Sequence, residues 1–285
     1  MAFGTLVFIT HRIWTNWIVV RPAISQIKVS MTLEGLALLS LSAALLGWNW
    51  VSVLLLCGMR IPRFNGMRVY FLANLTRYMP GGIWHFAGRT LWLIGQGYNS
   101  KRVVKSLVIE QGIILITGIA VGLAFMHLIC LSPLVVTILL LALVSALSSV
   151  FRVKHWHLSW TKWFVLIVNY VTFWILYGIA HLCFALAIVN EIGTTNFVKI
   201  IGQAAMSWAV GYIVFFVPGG WGIRELSFMH LLSQDFSGNI VFILPILSRL
   251  AQILAELICG GIFSLLWHLD SNNKSKSSGH LRAIP

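Results

Sequence analysis

"RYMPGGIWHFAGR", Arg77 to Arg89, interrupts an otherwise apolar segment, and "FFVPGGWGIRE", Phe215 to Glu225, interrupts a second one. Proline lacks the N–H that would continue a helix, and glycine gives up the most conformational freedom in one. Pro80-Gly81-Gly82 and Pro218-Gly219-Gly220 are therefore two points where a helix must stop. Each break is followed by an arginine, Arg89 in the first stretch and Arg224 in the second. The surrounding sequence determines what kind of helix is being broken.

Of 285 residues, 59% are hydrophobic and 9% charged, and the mean hydropathy is +0.89. A soluble domain carries roughly 25% charged residues. Apolar runs long enough to cross a bilayer recur along the chain, which predicts an all-α, polytopic membrane protein. Uninterrupted spans are expected near 32–57, 104–128, 132–151, 163–189 and 239–267, with interrupted segments at 69–98 and 197–235. "MAFGTLVFIT" is too short to span before His11 and Arg12. Residues 1–30 therefore read either as an interfacial piece or as a span that has lost its start, in a single transmembrane domain covering 1–267. The stretch from Asp270, "DSNNKSKSSGHLRAIP", is polar and basic, so 268–285 is expected to be a disordered cytoplasmic tail.

Twenty Lys and Arg against seven Asp and Glu give a formal net charge of +13. Most of this charge lies in short connections, where it signals orientation. No basic run is dense enough to follow a phosphate backbone, which argues against nucleic acid as a partner. The four cysteines are scattered and form no CxxC, so neither a disulfide framework nor a metal site is indicated. No cofactor motif is present.

Charge asymmetry also gives the topology. Arg60, Arg63 and Arg68 precede the first interrupted segment, and Lys101, Arg102 and Lys105 follow it. Both ends thus read as cytoplasmic, and the segment must turn back at Pro80-Gly81-Gly82. Arg152, Lys154 and Lys162 put a later connection inside, and the basic tail is inside as well. By the same reasoning 197–235 starts and ends outside, turning at Pro218-Gly219-Gly220. Arg12, Arg21 and Lys28 run against this assignment. The result is about seven membrane segments, two of them oppositely inserted re-entrant broken helices, the layout of an inverted repeat.

Ionisable residues inside a bilayer are costly and mark functional sites. The intramembrane candidates are Arg77, Arg89, Glu110, Arg224, Glu225, Arg249 and Glu256. Arg249, Gln252 and Glu256 share one helix face. The half-helix after each break begins with unpaired N–H groups and a partial positive charge, which favours an anion. Arg89 or Arg224 would add a guanidinium. Trp84 and His85 could pack against a headgroup, and His85 and the glutamates could exchange protons. In the alternative, Glu110, Glu225 and Glu256 pair with Arg89, Arg224 and Arg249 to neutralise one another. "GIAVG", Gly118 to Gly122, has the spacing for close helix packing, with a homodimer interface as the weaker use.

"RYMPGGIWHFAGR", "VIEQG" (Val108 to Gly112), "VPGGWGIRE" and "LSRLAQILAE" (Leu247 to Glu256) occur in this order. Together they resemble the lysylphosphatidylglycerol synthase transmembrane family over about residues 31–267. The resemblance implies a lipid-handling membrane protein of the bacterial inner membrane, with translocation as its activity. It covers flippase-like members and stand-alone members associated with polysaccharide assembly. The family's soluble aminoacyl-transferase domain has no counterpart here, so lysyl transfer is not expected. Gly82 stands where the family often has a basic residue.

No HExxH, P-loop or GxSxG is found, and no enzyme is expected. The reading is a flippase for an anionic phospholipid or a polyprenyl-phosphate-linked glycan intermediate. Its substrate-binding set is the seven charged residues above with Pro80, Gly81, Gly82, Trp84, His85, Pro218, Gly219 and Gly220. A membrane transferase acting on a lipid-linked glycan, and a scaffold for glycan-assembly enzymes, stay open as alternatives.

Overall fold

A computed structural model describes residues 26–79, 83–127, 160–189, 191–213 and 222–281. Both Pro-Gly-Gly turns, the span expected at 132–151 and residues 1–25 lie outside the described residues. Within them the chain is helical, with no strand. The helices are α1 (Val29–Leu56), α2 (Arg63–Leu75), α3 (Trp84–Gly95), α4 (Ser100–His127), α5 (Trp160–Ile188), α6 (Thr194–Ile213), α7 (Ile223–Leu232) and α8 (Asn239–Leu281). A 3-10 turn, Thr76–Tyr78, extends α2.

The long elements follow from uninterrupted apolar sequence, and four are long and apolar enough to cross a membrane: Val29–Leu56, Ser100–Met126, Thr161–Ile188 and Asn239–Ser271. That is the mark of a helical membrane protein. Local chemistry sets several boundaries. Pro62 precedes α2, and Gly97, at φ +86°, ends the turn after α3. Asn99 accepts the Lys101 N–H at 2.9 Å at the start of α4, the usual service of an asparagine at a helix entrance. Helix α8 continues to Leu281, where the sequence predicts a disordered tail. Extending an existing helix avoids the nucleation cost that an isolated polar segment would face.

The short helices are the more informative ones. α2 has 13 residues, α3 has 12 and α7 has 10. At 1.5 Å per residue each is about 20 Å or less, against a hydrocarbon core of about 30 Å. α2 packs on α3, and α6 packs on α7. Each couple is tied by a contact from the residue that follows its second helix. Tyr98, just after α3, donates its hydroxyl to the Arg60 carbonyl, just before α2, at 2.7 Å. Asp235, just after α7, pairs with Lys199 and accepts from the Gln203 amide at 2.8 Å, both in the first half of α6.

The principal contacts correspond when α1–α4 are exchanged for α5–α8. α1 packs on α5. α4 packs on α6 as α8 packs on α2, and α5 on α6 as α1 on α2. α7 meets α8 as α3 meets α4, and α4 meets α5 as α8 meets α1. Small residues allow the closest of these approaches. A Cβ on Gly202 would lie 2.7 Å from the Met126 nitrogen and 2.8 Å from the Gly122 oxygen. A Cβ on Gly118 would lie 2.5 Å from the Trp174 ring. "GIAVG" is therefore used within the chain, holding α4 against α5 and α6.

A charged cavity as the candidate functional site

Every helix named above contributes a side chain to a cavity of about 120 Å³. One water needs roughly 10–15 Å³ on this measure, so the space suits a small hydrated polar group, with no room for acyl chains. Seven sequence candidates line it: Arg77, His85, Arg89, Glu110, Arg224, Arg249 and Glu256. Glu225 is buried just behind, against Arg249 at 3.6 Å. Trp84 is half exposed and does not line the cavity, so it is no headgroup contact in this structure. The six Pro-Gly-Gly residues lie outside the described residues.

The charged groups form three assemblies. In the first, Arg89 of α3 sets one terminal nitrogen 2.9 Å from both carboxylate oxygens of Glu110 on α4. Both residues are almost fully buried, and the guanidinium carbon lies 5.1 Å from the Tyr70 ring centre and 5.4 Å from that of Trp50. An apolar site of this kind tolerates a charge only when it is paired.

The second assembly joins the halves. Arg77, next to the first break, pairs with Glu256 of α8, and Tyr78 donates to the other oxygen of that carboxylate at 2.9 Å. The Gln252 amide donates to Glu256 at 3.2 Å, and its carbonyl accepts from Arg224. Arg224 also donates to the Tyr177 hydroxyl on α5. Gln252 and Glu256 are one turn apart on α8, which is why a single helix face carries the relay.

The third assembly caps a helix. One oxygen of Glu225 accepts the Gly222 N–H at 2.7 Å, and the other faces Arg249. Gly222 sits at φ +83°, a conformation that favours glycine, and a glutamate three residues on can reach back to it. One of the four free N–H groups at the start of α7 is thus taken by the protein's own carboxylate. At the start of α3 the residue before the helix, Ile83, supplies no side-chain cap.

The expected pairing is also reassigned. Arg89 meets Glu110 as expected, but Glu225 meets Arg249, Glu256 meets Arg77, and Arg224 bonds only uncharged groups among the described residues. Four buried or half-buried guanidiniums therefore face three carboxylates. Sequence reading did not select Tyr177, Asn74 or Tyr212, which also line the cavity. A signal did exist for two of them, since Asn74 and Tyr212 each stand six residues before the proline of a break.

The fold and the cavity together define a helical membrane protein with a partly open cavity onto which four arginines and two glutamates face. No protein-family model matches the chain, and no curated protein matches it.

Proposed function

We propose that the chain translocates an anionic lipid between the leaflets of a bacterial inner membrane, the substrate being a phospholipid or a polyprenyl-phosphate-linked intermediate. This takes it as a stand-alone relative of the lysylphosphatidylglycerol synthase transmembrane family. It takes α2–α3 and α6–α7 as re-entrant hairpins inserted from opposite faces, within about seven membrane segments. The Tyr98–Arg60 tie supports re-entry of the first couple, because it joins its two outer ends, and the Asp235–Lys199 pair holds the end of α7 against the first half of α6. The matched contacts of α1–α4 and α5–α8 support the repeat.

The observation that carries the reading is the charge count, with Arg224 at its centre. A guanidinium with neutral partners in a low-dielectric chamber binds a phosphate strongly and bidentately. A headgroup phosphate would replace Tyr177 and Gln252 as acceptors on Arg224. The Gln252–Glu256–Arg77 chain would then feel the change, and it connects the two halves. Rearrangement of the halves around the bound phosphate would expose it to the other leaflet.

The test is lipid scrambling in liposomes containing the purified protein and an acyl-labelled anionic phospholipid, read by quenching of the outer-leaflet label. Labelled lipid should move at a rate proportional to protein, and Arg224→Ala should slow it at least about tenfold, the scale of one lost charge-assisted hydrogen bond. Unchanged movement in that variant removes Arg224 from the mechanism, and no movement in any liposome removes the translocase reading.

A further inference from the structure

We propose that a groove where α1 turns into α2 holds one anionic phospholipid of the adjoining leaflet, its phosphate between Arg60 and Arg63. The site shares no residue with the charged cavity, and it stands whether or not the chain translocates lipid.

The groove, of about 440 Å³, is walled by Val51 and Leu55 of α1, by Met59 and Ile61 of the connection, and by the two arginines. Met59 and Val51 are buried, while Leu55 is 54% exposed. An apolar floor beside an open side suits an amphiphile, whereas a hydrated anion gains nothing from apolar contact. The backbone around the groove is fixed. The Gly58 and Met59 N–H groups donate to the Leu55 and Leu54 carbonyls at 3.0 and 2.9 Å, and Gly58 sits at φ +76°. The end of α1 is thus closed by its own chain. The Tyr98 hydroxyl then holds the Arg60 carbonyl.

The arginines supply the charge argument. All seven acidic residues of the chain are among the described residues. The ion pairs there use Arg77, Arg89, Lys199 and Arg249, and Arg60 and Arg63 enter none of them. Arg63 is held instead by an aromatic ring, its guanidinium carbon 4.3 Å from the Trp48 ring centre. A guanidinium over an aromatic face keeps its N–H edge for an oxyanion. Close by in sequence, Arg68 lies over Trp267 at 4.0 Å. Tryptophan paired with a basic residue in this way marks the headgroup layer of a bilayer. The sequence reads Arg60, Arg63 and Arg68 as orientation signals, a role that needs charge alone. It does not need a guanidinium laid on a ring beside an apolar groove. Basic pockets at this level bind anionic headgroups.

The experiment is native mass spectrometry of the purified full chain in micelles doped with rising, equal amounts of phosphatidylglycerol and phosphatidylcholine. The unmodified chain should retain phosphatidylglycerol in preference to phosphatidylcholine, a comparison that does not depend on a variant folding. Arg60→Gln combined with Arg63→Gln should need at least about tenfold more phosphatidylglycerol to fill this site, the scale of one lost charge-assisted hydrogen bond. Arg224→Gln should leave it filled. Lys101→Gln combined with Lys162→Gln removes the same charge from exposed positions outside the groove and should bind as the parent does. Retention of both lipids alike by the unmodified chain overturns the proposal. So does parental retention in the Arg60 and Arg63 variant. An equal loss in the Lys101 and Lys162 variant would make retention a matter of total charge, which also overturns it. Soluble glycerophosphoglycerol should fail to displace the lipid at matched concentration. Full displacement would assign the groove to a soluble phosphodiester and overturn the lipid.

Discussion

The two halves place an ion pair at matching positions and reverse its sign. In the first half the cation is on the short helix, Arg89 on α3, and the anion on the long one, Glu110 on α4. In the second half the anion is on the short helix, Glu225 on α7, and the cation on the long one, Arg249 on α8. Glu110 and Arg249 each stand ten residues past the first residue of their helices, Ser100 and Asn239. The pairs differ in closeness too: 2.9 Å to both oxygens in the first half, 3.6 Å in the second. A tight pair acts as a strut. The looser one shares its carboxylate with a helix end.

The largest effect that would sharpen this contrast is expected at Glu110. Glu110→Ala strands Arg89 in a site 1% exposed and should cost about 3–5 kcal/mol of stability, read as a fall in the unfolding midpoint of the purified protein. Arg89→Met combined with Glu110→Leu should recover most of that loss, because neither charge then needs compensation. A Glu110→Ala protein as stable as the parent would remove the strut from the first half.

Next in size is helix packing. Gly202→Ala forces a methyl to 2.7 Å from backbone on α4, and overpacking of this kind costs about 1–3 kcal/mol. On the corresponding α8–α2 contact, a Cβ on Gly260 meets only Phe71 at 3.6 Å, so Gly260→Ala should change the unfolding midpoint little. Equal effects would mean the halves pack alike.

Smaller again is Glu225→Gln, which weakens a helix-end bond and a 3.6 Å ion contact. Because glutamine keeps an oxygen for the Gly222 N–H and Arg249 is not within hydrogen-bond distance of Glu225, it should cost less than Glu110→Ala, measured in the same unfolding assay. The smallest effect is expected for Tyr98→Phe. It removes a single hydrogen bond to the Arg60 carbonyl at the exposed rim, which is worth about 1 kcal/mol or less. The variant should raise amide exchange near residues 60 and 98 and leave residues 199–235 unchanged.

Much of this was legible in the sequence because hydropathy and charge carry it directly. The described spans start and end within a few residues of where the apolar runs do, and Arg89 meets Glu110 as intramembrane opposite charges should. The Arg77–Glu256 and Glu225–Arg249 partnerships were not legible. Which arginine meets which glutamate depends on how helices from the two halves pack, and a linear pattern does not encode that. Glu225 is a candidate in the sequence because an ionisable residue inside a bilayer is costly. Its role as the carboxylate that reaches back to Gly222 follows from the break geometry, in which a glutamate three residues on finds the helix entrance. Tyr177 was missed because one hydroxyl in an aromatic-rich helix gives no distinguishing signal until Arg224 arrives beside it.

The most direct test of opposite insertion is site-specific labelling in sealed vesicles with a membrane-impermeant thiol reagent. The chain would be freed of its native cysteines and carry Arg60→Cys, Lys101→Cys, Thr194→Cys or Gly238→Cys, all at exposed positions. Positions 60 and 101 should react from one face together, and positions 194 and 238 from the other. Reaction of 60 and 101 from different faces, or of all four from the same face, would contradict two hairpins entering from opposite sides.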